Sequence, residues 1–172
     1  MYLVIELTDM EKEICSIVGK ARYYNNRKHN VKINIIEGND FSYKSDVEAV
    51  MAEFAFCKHH GIYPDEVFRI GVTSKRNGND MGDAYVDNMW IDVKSTKSEN
   101  GMLFSMVKNP NVDLYALMIG TEGKYRLAGY IANKELCQES RWGHHQVFKR
   151  PCYAAKQDEL KSFKEIRGHV GI

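Results

Sequence analysis

The stretch that decides the reading of this chain is Gly82-Asp83-Ala84-Tyr85-Val86-Asp87-Asn88-Met89-Trp90-Ile91-Asp92-Val93-Lys94-Ser95-Thr96. Apolar and polar residues alternate through it, the period of a half-buried strand. Asp87-Asn88 interrupts the alternation and fits the two central positions of a tight hairpin turn, because Asn tolerates the positive φ required there. That turn sets a register: Val86 faces Met89, Ala84 faces Ile91, and Asp83 faces Asp92. Side chains alternate across a strand. Ala84, Val86, Ile91 and Val93 then pack onto the core, while Asp83, Asp92 and Lys94 share the other face with Tyr85 and Trp90.

Carboxylates directly opposite each other, with Cβ atoms about 4.5–5.5 Å apart, destabilise a sheet. A divalent cation removes the conflict, and hard cations such as Mg²⁺ use one or two carboxylates together with substrate phosphates. Lys94 projects from the same face, where an ammonium orients a water or neutralises charge growing on a phosphate. The pattern suits metal-assisted phosphodiester cleavage. An ordinary Asp–Lys pair on a solvated sheet face is the alternative. Acidic-x-Lys occurs three times in the chain, at Asp92-Val93-Lys94, Glu122-Gly123-Lys124 and Glu159-Leu160-Lys161. The second falls in an expected turn and the third on an expected helix, so the first alone has a carboxylate across a strand register.

Upstream the pattern is helical. Thr8-Asp9-Met10-Glu11 has the form of a capping box, and Ile14, Ile17, Val18 and Ala21 follow at helical spacing, predicting a helix to about Tyr24. Ser45-Asp46-Val47-Glu48 reads as a second capping box. It opens a helix with Val47, Val50, Met51, Phe54 and Lys58 on one side that stops near Gly61. Strands are expected over Val67 to Val72, Asp113 to Ile119 and Tyr125 to Ile131, the last two joined by Thr121-Glu122-Gly123. Asn133 is expected to cap a short helix through Leu136, and Gln157 to Ile166 to form a last one. Helices, a run of strands and short helices indicate an α/β (α+β) fold with a central mixed sheet flanked by helices.

The chain of 172 residues fits one domain, residues 1–172. With 44% hydrophobic and 27% charged residues it has the composition of a globular protein. No apolar run approaches a membrane span, and no signal peptide is visible at the N-terminus. The four cysteines lack Cys-x-x-Cys spacing and read as reduced thiols, which points to the cytoplasm. A formal net charge of +1 gives no argument for a nucleic-acid partner, so any such argument rests on a site. Gly78 to Gly82 reads as a flexible lead into the hairpin, and no phosphate loop or Ser/His/Asp ordering stands out.

Residues 82–96 resemble the core of the PD-(D/E)XK nuclease superfamily: an acidic residue, a short hairpin, then acidic-x-Lys on the next strand. Ile91-Asp92-Val93-Lys94-Ser95-Thr96 is similar to the second half and Gly82-Asp83 to the first. The resemblance spans roughly Val47 to Ile131 and is closest to small phage and mobile-element nucleases. It departs from the superfamily name where Asp83 follows Met-Gly rather than Pro. The literal Pro64-Asp65 lies ahead of the first strand and has no defined register with Asp92. The resemblance implies a restriction-endonuclease-like core, Mg²⁺ or Mn²⁺ as cofactor, DNA as partner (with RNA open) and host cytoplasm as location. It also implies a glutamate on the preceding helix, for which Ala52-Glu53-Phe54-Ala55-Phe56-Cys57-Lys58 stands. Glu48 has a capping role already. Glu53 lies beside the apolar stripe and is the candidate, with Glu48 in reserve. Glu53, Asp83 and Asp92 would hold the metal, and Lys94 would position the attacking water.

Other residues carry weaker signals. His59-His60 and His144-His145 are adjacent pairs whose members diverge by about 100° on a helix, so they do not chelate one ion together and are expected at the surface. Basic residues cluster at Arg22, Arg27 and Lys28, at Lys94, Lys97 and Lys108, and at Lys149, Arg150 and Lys156. Arg22-Tyr23-Tyr24-Asn25-Asn26-Arg27 suits either a phosphate-contacting surface or a solvated helix end. Trp90 suits either base stacking or a cover for the core rim. Three readings compete: a metal-dependent deoxyribonuclease, a non-catalytic nucleic-acid-binding protein of the same fold, and a dimeric junction resolvase. Oligomeric state, exo- or endonuclease action and target preference stay open.

Overall fold

The computed structural model describes residues 3–29, 42–70, 81–145 and 151–170, with side chains given through residue 167. The first helix, α1 (Asp9–Lys28), begins as its sequence implies. Thr8 Oγ1 accepts the N–H of Glu11, and Glu11 returns a carboxylate to the Thr8 N–H at 2.6 Å. It continues a turn beyond Tyr24 and ends on the basic pair Arg27 and Lys28, which complements the helix dipole. Helix α2 (Lys44–His60) stops at Gly61, whose φ of 63° is the left-handed geometry of a glycine cap. The two helices touch at Gly19, where a Cβ would lie 2.5 Å from Val47 Cα, a separation only glycine allows.

Among the described residues the strands form two sheets. The larger has the order β1-β6-β5-β3-β2, made of β1 (Val4–Glu6), β2 (Ala84–Val86), β3 (Met89–Thr96), β5 (Leu114–Thr121) and β6 (Lys124–Ala132). It is mixed: β3 runs parallel to β5, and the other neighbours are antiparallel. The smaller sheet joins β4 (Leu103–Ser105), β8 (Cys152–Ala155) and β7 (Trp142–Gly143). Strand β5 is covered on both faces. Leu114, Ala116 and Met118 join a core with Val50, Ala55 and Phe56 of α2. Tyr115, Leu117 and Ile119 join a second core with Leu103, Ala155 and Leu136 of the short helix α3 (Asn133–Leu136). The result is a mixed α/β arrangement: helices on one face of the central sheet, and the small sheet with α3 on the other. No helix of the described residues is long and apolar enough to cross a membrane. All four cysteines are buried and free.

Several expectations need correction. Ser45-Asp46-Val47-Glu48 is not a capping box: α2 starts after Tyr43 with no side-chain cap. The Glu48 carboxylate instead accepts the Tyr125 hydroxyl at 2.7 Å and the Glu122 N–H at 3.2 Å, tying α2 to the β5–β6 turn. Residues 65–68 form a turn rather than a strand, because the carbonyls of Glu66, Val67 and Arg69 are taken by the Arg22 guanidinium. Residues 71 and 72 of that expected strand lie outside the described residues, as do Gly78, Asn79 and Asp80 of the lead and the bases Lys149 and Arg150. Asn133 does not cap α3; its amide donates to the carbonyls of Asn109 and Val112. The expected helix from Gln157 splits into a single 3₁₀ turn (Gln157–Glu159) and α4 (Phe163–Val170). Lys161 exchanges main-chain hydrogen bonds with Tyr130 at 2.8 Å each, and Ser162 with Glu165 opens the new helix. Glu159-Leu160-Lys161 therefore lies on no α-helix: Glu159 ends the 3₁₀ turn, and Leu160 and Lys161 follow it outside any helix.

Candidate functional site

The hairpin forms with the turn its sequence implies. Asp87 and Asn88 have φ of 47° and 63°, both positive as a type I′ turn requires. Val86 pairs with Met89, Tyr85 with Trp90 and Ala84 with Ile91. Ala84, Val86, Met89, Ile91 and Val93 are buried against the helices. Trp90, Asp92 and Lys94 alternate with them on the opposite face, each half-buried. Tyr85 lies half-exposed beside Trp90, with ring centroids 4.9 Å apart.

At Asp83 the simple alternation ends. Its N–H donates at 2.8 Å to the carbonyl of Ile91, the residue already paired with Ala84, so Asp83 does not stand squarely across from Asp92. The cause lies one residue earlier. Gly82 has φ of 101°, and a Cβ there would sit 2.8 Å from the Ile91 oxygen. With the backbone turned, the Asp83 carboxylate accepts the Val93 N–H at 2.8 Å and takes the place of the strand residue that would have come next. Asp113 does the same on the other edge of β3, where its carboxylate accepts the Trp90 N–H at 2.8 Å.

This puts Asp83 at the edge of the sheet, within the influence of charges from both faces. Burial, then the carboxylates of Glu53 and Asp92, push its carboxyl well above the usual carboxylate range, against the pull of Lys94 and the Val93 N–H. Lys94 is ion-paired with Asp92 at 2.5 Å and lies over the Tyr115 ring, 5.9 Å from its centroid. Burial disfavours its ammonium, but attraction to Asp92 and Asp83 prevails and raises the group above its ordinary value. Lys94 is thus a firmly held cation, suited to donate hydrogen bonds and unsuited to act as a base.

Glu53 reaches the group from α2 and is 7% exposed. Both of its oxygens accept from one nitrogen of Arg22, Nη1, at 3.1 and 2.8 Å. Arg22 is not on a solvated helix end or an open phosphate-contacting surface, as the basic cluster had suggested; it is enclosed between α1, α2 and residues 66–69. Glu48, the reserve candidate, sits at the β5–β6 turn, away from the hairpin. The structure thus brings Glu53, Asp83, Asp92 and Lys94 into one neighbourhood and leaves Glu48 outside it. No protein-family model matches this chain, and no curated protein or solved structure matches it.

The donor set at this place is all carboxylate oxygen, which suits a hard dication rather than a soft one. Among the described residues no three His, Cys, Asp or Glu side chains are gathered closely enough to hold an ion by themselves. Asp83 and Asp92 remain as a pair, and two carboxylates with water and phosphate oxygens are a sufficient set for Mg²⁺. One histidine of each adjacent pair is engaged with aromatic side chains. His60 was expected at the surface, but it is half-buried against Phe56, Tyr130 and Phe163, bonded to the Tyr130 hydroxyl at 2.5 Å. His145 packs on Phe104, 5.5 Å between ring centroids. Sequence reasoning missed the role of Arg22, because nothing in its local pattern points to a glutamate 31 residues away.

Proposed function

We infer that the protein is a metal-dependent nuclease that hydrolyses DNA phosphodiester bonds, with a restriction-endonuclease-like core. The observation that carries this reading is the joint position of Asp83, Asp92 and Lys94. Two carboxylates influence each other across the end of the β2–β3 ladder, and a cation is fixed beside them. A solvated sheet face has no reason to concentrate negative charge where burial penalises it. A phosphate-binding surface without metal has even less reason.

Asp83 and Asp92 are the ligands this reading assigns to Mg²⁺ or Mn²⁺, with Glu53 completing the acidic set. When bound, the cation polarises the phosphate oxygens and lowers the pKa of a coordinated water. Lys94, held charged by Asp92, orients the attacking water and stabilises negative charge as the phosphorus becomes five-coordinate. The hydrophobic floor of Ile91, Val93 and Leu114 holds β3 rigid beneath these groups. The pairing of β3 with the parallel β5 and the packing of α2 against them support the nuclease-like core.

A second reading has its own observation. Glu53 is neutralised by Arg22 and Asp92 by Lys94, so these charges already have partners within the protein. A non-catalytic nucleic-acid-binding protein of the same fold accommodates those pairs. Incubation with linear, circular and branched DNA and with RNA, in Mg²⁺ or chelator, separates the readings. Metal-dependent loss of DNA supports the nuclease, and intact DNA under every condition supports the binding protein.

A further inference from the structure

Arg22 is engaged at every nitrogen. Nε donates to the Arg69 carbonyl at 3.3 Å, and Nη2 to the carbonyls of Glu66 and Val67 at 3.3 and 2.7 Å. Only Nη1 is left for Glu53, and it serves both carboxylate oxygens. The guanidinium is therefore anchored by the main chain, and the carboxylate rests on its free end. A carboxylate has about four lone-pair sites, so sharing one nitrogen leaves each oxygen able to accept again. Charge accords with this. Burial disfavours the Arg22 cation, yet Glu53, Asp83 and Asp46 together raise its pKa.

We propose that Arg22 is a positioning residue of the nuclease site: anchored on the carbonyls of residues 66, 67 and 69, it holds the Glu53 carboxylate in a fixed position beside Asp83. The inference rests on the nuclease reading and adds a residue to it from a helix outside the span that resembles the family. It separates from a simple charge effect by sign. Removing a cation near a metal site strengthens metal binding by Coulomb's law, whereas removing the support of a ligand weakens it.

The test is Mn²⁺ titration calorimetry with steady-state DNA cleavage on wild type, Arg22→Ala and Arg22→Lys, below each protein's melting temperature. Arg22→Ala is expected to bind Mn²⁺ on the order of tenfold more weakly and to lose about 10- to 100-fold in kcat, the scale for removing a group that orients a metal ligand. KM for DNA should change little, and millimolar guanidinium should restore part of kcat. Lysine keeps the charge but presents one nitrogen, which cannot replace the five hydrogen bonds, so Arg22→Lys should also lose about tenfold in kcat. That variant decides the matter if Arg22→Ala fails to fold. Wild-type metal affinity and kcat in a folded variant, or tighter Mn²⁺ binding with unchanged kcat, would overturn the role of Arg22 alone. A wild-type protein that neither binds Mn²⁺ nor cleaves DNA overturns the nuclease reading and this inference with it.

Discussion

The carboxylate of Asp83 closes the β2–β3 ladder by accepting the main-chain N–H of Val93 at 2.8 Å. One side chain thus has two tasks, ending a strand pair and standing in an acidic cluster. The tasks separate by substitution. Asp83→Asn keeps an acceptor for Val93 and removes repulsion with Glu53 and Asp92, so its melting temperature should equal or exceed wild type while metal binding is lost. Asp83→Ala leaves the Val93 N–H without its partner, at a cost of about 1–3 kcal/mol. Thermal melts in chelator, paired with Mn²⁺ calorimetry, check both outcomes.

The two glutamates of α2 should give opposite phenotypes. Glu48→Ala deprives the Tyr125 hydroxyl, whose residue is 1% exposed, of its carboxylate and releases the Glu122 N–H. Stability should fall by about 1–3 kcal/mol with cleavage largely intact. Glu53→Gln should abolish most cleavage. Urea unfolding and a cleavage assay on the same preparations distinguish them, and exchanged phenotypes would mean that Glu48 belongs to the site.

Much of the hairpin was legible because local chemistry and long-range packing demand the same thing there. Asp87-Asn88 accepts positive φ, and the alternation on either side matches a strand covered on one face. The Thr8 capping box was legible for a similar reason, since all its partners lie within three residues. Glu48 was misread because the same pattern, Ser-x-x-Glu, has a competing partner 77 residues away in Tyr125. The kink at Asp83 follows from a backbone angle at Gly82 that a residue pattern does not encode. Val67 has the composition of a strand residue, but its carbonyl serves an arginine from α1. Tertiary contacts of this kind decide a segment whose own preference is weak.

Acid should weaken the fold through His60. Burial, then the charge of His59, pushes this imidazole down from 6.5 to about 4, with Asp87 pulling the other way. The folded state therefore prefers the neutral ring. The stabilisation is complete above the unfolded value of 6.5 and is lost as pH falls from there toward 4. Urea midpoints should decline between pH 7 and pH 5, and His60→Gln should flatten that decline. An equal slope in the variant would assign the acid sensitivity elsewhere.

The central claim, that Asp83, Asp92 and Lys94 form the hydrolytic centre of a nuclease, is met most directly by the rate of DNA cleavage in Mg²⁺ for wild type, Lys94→Ala and Lys124→Ala. Lys124 is a fair control, because it belongs to another acidic-x-Lys triplet and pairs with Glu6 at the exposed end of β6. Wild type and Lys124→Ala should cleave at the same rate. Lys94→Ala should be slower by at least about 100-fold, the scale for losing one electrostatic stabiliser of the transition state. Near-normal cleavage by Lys94→Ala would contradict the account.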